Sequence, residues 1–122
     1  MPNEYAYEKE RWRQVIYLGQ IYTFESYEEF RQFYDDYLRS PLWREFARQI
    51  KADRPQCEAE GCGMYDEESQ HNWGQGLHVH HLHYDTLGEE RDEDVQVLCP
   101  HDHNITHGRP APMPILDPFS KL

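Results

Sequence analysis

The sequence predicts a small α+β protein in which helices come first and a short strand–strand–helix unit follows. Three observations predict it. Apolar residues recur at helical spacing between positions 26 and 51. That periodicity gives way after Pro55 to Gly, Cys and His, with strand-like runs at 77–84 and 95–98. All eight histidines and all three cysteines fall in this second part, between Cys57 and His107. We divide the chain into a helical N-terminal extension (1–54), a Cys/His-rich module (55–108) and a proline-rich tail (109–122).

Taken in order, residues 4–18 carry a weak helical pattern, with Trp12, Val15 and Ile16 on one side. Gly19 ends it, and the IYTF that follows reads as extended. The next helix, 26–39, is better marked. Ser26 and Glu29 form an S-x-x-E capping box, and Phe30, Phe33, Tyr34, Tyr37 and Leu38 make one apolar stripe. Ser40-Pro41 restarts the chain, with Ser suited to an N-cap and Pro to the first helical position. Leu42, Trp43, Phe46, Ala47 and Ile50 are expected to be buried there. Arg44, Arg48 and Lys51 share the opposite face, as a solvated surface or as a rail for phosphates. Residues 63–76 read as a polar loop and 77–84 as a strand, with a turn at Leu87-Gly88. An acidic loop at 89–94 leads into the strand Val95–Leu98. A short helix is expected from Pro100 to about Gly108, where glycine stops it. Four prolines in the last fifteen residues predict an extended tail.

The composition narrows the classes of function. Five Phe, three Trp and nine Tyr can supply a core despite 29% charged residues. Without an apolar run fit for a signal peptide or a membrane span, a cytoplasmic protein away from membranes is expected. In that setting three cysteines are better ligands than a disulfide framework. The net charge is −11. Residues 1–56 hold nine Lys/Arg against ten Asp/Glu, and residues 57–122 hold three against thirteen. That acidity argues against loose electrostatic binding to nucleic acid.

The histidines and cysteines carry the chemistry. Imidazole is a common neutral metal ligand, and eight in one region point to metal. His103 and His107, four apart, lie on one face of a helix. A strand–strand–helix hairpin would bring them to His80 and His81. Cys57 and Cys62 form a C-x4-C pair, and Cys99 opens C-P-H-D-H. Together they suggest a structural zinc site, with Asp102, His101 and His71 competing for the fourth position.

The stretch VHHLHYDTLGEERDEDVQVLCPHDHNITHG, residues 79–108, resembles the HNH endonucleases of the ββα-metal, or His-Me finger, superfamily. Upstream, YLRSPLWREFARQIKADRPQCEAEGCG, residues 37–63, resembles the helix and first zinc knuckle that commonly precede the motif. The resemblance implies a small ββα-metal (HNH) module with a structural zinc knuckle behind a helical extension. It implies a metal-dependent endonuclease that hydrolyses DNA phosphodiester bonds. His80, His103 and His107 would hold the catalytic divalent ion, His81 would be the general base, and Asp94 would hold the loop that orients the base. Asp94 stands where the family has Asn, and Asp102 where it has the second Cys of C-x-x-C. Cys57, Cys62, Cys99 and Asp102 would then bind structural zinc. A three-His site accepts Mg, Mn, Ni or Zn. His78 and His83 read first as strand residues packed or exposed near the site; the alternatives are that His78 lies beside the ligands and that His83 touches a phosphate.

The implied partner is DNA, double-stranded before other forms. Arg44, Arg48, Lys51, Arg91 and Arg109 would make a local track for its phosphates. A protein partner that recruits the chain to DNA would answer the acidity. The resemblance permits bacterial or phage origin and a part in phage, restriction or defence machinery. Two other readings share the sequence: a non-catalytic zinc-binding interaction module, and a ribonuclease or toxin-like nuclease with the same site.

Overall fold

β-Branched and aromatic residues dominate positions 15–23, and they form a hairpin. In the computed structural model, which describes residues 11–108, β1 (Gln14–Tyr17) pairs antiparallel with β2 (Gln20–Thr23) in the register Gln14↔Thr23 to Tyr17↔Gln20. The turn residues Leu18 and Gly19 both have positive φ, 48° and 79°, as a tight two-residue hairpin turn requires. This corrects the helix expected over 4–18 for residues 14–18: Val15, Ile16, Tyr17, Ile21 and Tyr22 suit a pleated surface better than a helix. The free edge of β1 is bonded to a later loop through Ile16 N–H to Tyr84 O (2.9 Å) and Leu87 N–H to Ile16 O (3.0 Å).

Two helices follow. α1 (Tyr27–Leu38) starts at Ser26, whose side chain accepts from Glu29 N–H, and buries Phe30, Tyr34 and Tyr37. α2 (Pro41–Asp53) is capped by Ser40 and buries Trp43 and Ile50. Leu42, expected inside, is exposed because it lies at the helix start, off the Trp43–Ile50 face. A third helix, α3 (Asp66–Trp73), occupies the stretch read as a loop. Its apolar face is too slight to announce it, but its ends are well built. Asp66, Glu67 and Glu68 fill the first turn, and Gly74 closes it at φ 74°.

The second half supplies the strand–strand–helix unit. β3 (His78–His81) and β4 (Val95–Leu98) pair antiparallel, His78↔Leu98 to His81↔Val95. A single 3₁₀ turn, Asp92–Asp94, leads into β4. α4 (Pro100–Thr106) follows directly, with Cys99 as its N-cap and Gly108 at φ 73° beyond it. The fold is therefore α+β, with four helices and two two-stranded sheets among the described residues.

One core joins the two halves. Val15, Phe30, Tyr34 and Trp43 from the first pack with Leu77, Leu87, Val97 and Leu98 from the second. Arg54 adds a polar link. It donates to Asp92 O (2.8 Å) and Val95 O (2.9 Å) and pairs with Glu58, which accepts from Val97 N–H (2.7 Å). No helix of the described residues is long and apolar enough to cross a membrane. The tail and Arg109 lie outside the described residues.

Candidate metal centres

Side chains alternate along a strand, so His78 and His80 share one face of β3 and His81 takes the other. α4 lies on the first face. Its i, i+4 pair presents His103 and His107 to His80, with ring centroids 5.0 Å and 4.7 Å from His80 and 4.6 Å from each other. Each of the three offers one ligand atom within 4.8 Å of the others, so the group can hold a metal ion. The donor chemistry fits a borderline divalent ion: three imidazoles, no charge of their own, and positions left over for water or substrate. The group opens into a cavity of about 780 Å³, whose lining includes His78, His80, His103 and His107 together with Tyr34 and Trp43.

His81 does not join them. Its side chain is 1% exposed and sits across β3, stacked on Trp43 with ring centroids 4.4 Å apart. Nε2 lies 2.7 Å from Glu90 Oε2 and Nδ1 lies 2.6 Å from the Tyr34 hydroxyl. Facing a carboxylate, Nε2 is the donor, and Nδ1 accepts from Tyr34. Glu90 also accepts from the Tyr37 hydroxyl (2.7 Å) and from Gly88 N–H (3.0 Å). Burial, then the Glu90 hydrogen bond and charge, raise the Tyr37 pKa, so the phenol stays a donor. The hairpin thus brings together three of the four histidines expected at one site; pleating carries the fourth away.

Asp94 fastens the loop between the strands. Its carboxylate accepts from His83 Nε2 (3.0 Å), Thr86 Oγ1 (2.9 Å) and Arg91 N–H (2.9 Å). Burial would raise its pKa, but these bonds outweigh it and hold the group down at about 2. The imidazole it touches is His83, not His81.

The cysteines form a second centre. A short turned segment carries Cys57 and Cys62, closed by Cys57 N–H to Met64 O (2.8 Å) and Cys62 N–H to Ala59 O (3.0 Å). The start of α4 carries Cys99 and Asp102. Ligand atoms of all four lie within 4.8 Å of one another, a limit that admits the roughly 3.8 Å edges of a tetrahedron with Zn–S bonds of about 2.3 Å. Asp102 Oδ2 is 3.2 Å from Cys57 Sγ and 3.3 Å from Cys99 Sγ. Burial pushes the Cys57 thiol up and the Cys99 thiol to about 11. Asp102 resists the same burial because the Cys57 and Cys99 thiols donate to it, which lowers its pKa. Of the competitors for the fourth position, Asp102 joins the group. His101 stacks on Trp73 and faces Asp102 Oδ1 at 3.2 Å, and His71 is exposed on α3.

The expected phosphate track is largely matched by carboxylates. Arg48 pairs with Glu45 (2.6 Å), Lys51 with Asp66 (3.5 Å), and Arg91 with Glu93 (3.3 Å). Arg44 is exposed on α2. Sequence reasoning missed Glu90 and Gln75, the polar partners of His81 and His78. Glu90 was hidden in an acidic run, and Gln75 in an apparent loop. Searches against family models, curated proteins and solved structures found no match for the chain.

Proposed function

We propose that the chain is a metal-dependent nuclease of the HNH kind that hydrolyses DNA phosphodiester bonds. The observation that carries this reading is the juxtaposition of His80 on β3 with His103 on α4 and His107 at its C-cap, beside a cavity. Those three residues hold the divalent ion. When bound, the ion supplies Lewis acidity for a phosphoryl oxygen and for the leaving 3′ oxygen. The cysteine group, with Asp102, holds a structural zinc that fixes the start of α4, and hence His103 and His107, against the 57–64 turn. Asp94 keeps the 83–91 loop in place.

The base role that the resemblance gives His81 requires one of its two hydrogen bonds to open, since both nitrogens are engaged. This same observation favours a second reading, a non-catalytic zinc-binding interaction module, in which His81 serves only the core. The test is plasmid conversion by wild type, His103→Ala and His81→Ala, with Mg, Mn, Ni or Zn and an EDTA control. The nuclease reading expects nicking or linearisation by wild type, abolished by EDTA and by His103→Ala. A folded, metal-loaded wild type inactive on duplex, single-stranded DNA and RNA alike would leave the interaction module standing. Cleavage confined to RNA would select the ribonuclease.

A further inference from the structure

His103 has two ring nitrogens, and only one faces the three-His group. Its Nε2 lies 2.9 Å from His107 Nε2, within the group. Its Nδ1 lies 2.8 Å from Nδ1 of His78. Nε2 of His78 lies in turn 2.9 Å from Gln75 Oε1. A neutral imidazole carries one N–H. The Gln75 oxygen can only accept, so the His78 proton sits on Nε2 and its Nδ1 accepts. His103 must then donate from Nδ1, which leaves the lone pair of Nε2 for an ion. Each proton in the chain Gln75–His78–His103 has one consistent place.

The supports of this chain are fixed. Ser69, fully buried on α3, donates to the Gln75 carbonyl (2.6 Å) and so anchors the residue whose side chain holds His78. Leu77 N–H donates to Asp66 (2.8 Å), which fixes the approach to β3. His78 itself is paired to Leu98 in the hairpin. Nor does His78 belong to the ligand group. It meets His103 at Nδ1, whereas His107 meets it at Nε2, and the mutually close ligand atoms are those of His80, His103 and His107.

We propose that His78, held by Gln75, is a positioning residue: it fixes the His103 tautomer that presents Nε2 to the divalent ion, and so sets the affinity of the three-His centre. The proposal rests on the metal-binding part of the reading above and not on DNA cleavage. Hydrogen-bond partners of ligand histidines generally fix tautomer and ring orientation and raise ligand basicity.

The experiment titrates the full chain, loaded with one equivalent of zinc, with Co²⁺ as a visible-absorbing probe. Wild type, His78→Ala, His78→Asn and His103→Ala are compared. His78→Ala should keep one Co²⁺ per chain but weaken its binding about 10- to 100-fold. In His78→Asn the amide oxygen takes the place of Nδ1, so affinity should stay within about threefold of wild type. His103→Ala should lose the ion. In the zinc-saturated protein, the Nδ1–H proton of His103 should be visible by NMR in wild type and His78→Asn, and lost to exchange in His78→Ala.

Unchanged Co²⁺ affinity in His78→Ala overturns the proposal while leaving the metal centre intact. Loss of the ion in His78→Ala, as in His103→Ala, overturns it in favour of a ligand role. A wild type that takes up no Co²⁺ removes the centre and the proposal together. A chain that binds Co²⁺ as expected but cleaves no nucleic acid fails only as a nuclease.

Discussion

His80 and His81 are neighbours on β3, yet one faces an imidazole cluster and the other a buried carboxylate. The reason is the two-residue period of a strand. His81→Ala would strip Glu90, whose side chain is 2% exposed, of its imidazole partner. We expect a loss of about 2 kcal/mol, the order of cost of leaving a buried acceptor one hydrogen bond short while Tyr37 and Gly88 still donate to it, measured by urea unfolding. A residue acting only as a base would leave the unfolding midpoint where it was. Asp94 gives a pH prediction. Its folded pKa, about 2, lies below the ordinary value of 3.8. Its contribution, about 2 kcal/mol, is therefore present above roughly pH 4 and lost as pH falls through about 2. Unfolding curves of wild type and Asp94→Asn should converge in that acid range. The pairing of His103 with His107 was legible because spacing alone places i and i+4 on one helix face. The fate of His81 was not, because Tyr34 and Trp43 lie some forty residues away in sequence, and Glu90 lies across a loop.

Among the elements, α1 and α2 were legible to their caps. Ser40 shows why: its hydroxyl accepts from Trp43 N–H (3.3 Å) and donates to Tyr37 O (2.6 Å), joining the end of one helix to the start of the next. Ser40→Ala should cost about 1 kcal/mol, read as a lowered thermal midpoint; no shift would mean that Pro41 alone sets the helix start. Strand β1 was misread because Trp12, Val15 and Ile16 also fit one side of a weak helix, whereas the IYTF piece of β2 was read as extended. The deciding feature is tertiary: β1 lies against Tyr84 and Leu87, residues no local pattern connects to it. α3 was hidden by its polar composition, being held by capping and by the bonds of Asp66 and Ser69 to the 75–77 segment instead of a broad apolar face.

For the whole molecule, one core runs through both halves, and the second half brings together two groups that could each hold a metal ion. The cysteine group should bind zinc with proton release. Cys57 and Cys99 have thiols raised above their ordinary range, so at neutral pH zinc must displace about two protons from them. Zinc uptake in a weakly buffered solution with a pH indicator would show this, and apparent affinity should rise with pH. Cys57→Ser should lower both zinc content and melting temperature, since the 57–64 turn and α4 meet at the cysteine group. The net charge of −11 and the paired state of Arg48 and Lys51 lead us to expect weak, salt-sensitive DNA binding by the isolated chain.

The central claim is that the chain carries two separate metal centres, one of thiolates and a carboxylate and one of three imidazoles. Native mass spectrometry of the zinc-saturated protein tests it most directly. The account predicts two ions bound to wild type and one to the His80→Ala/His103→Ala variant. A single ion in both proteins would contradict it, leaving the imidazole cluster without the metal on which the proposed function depends.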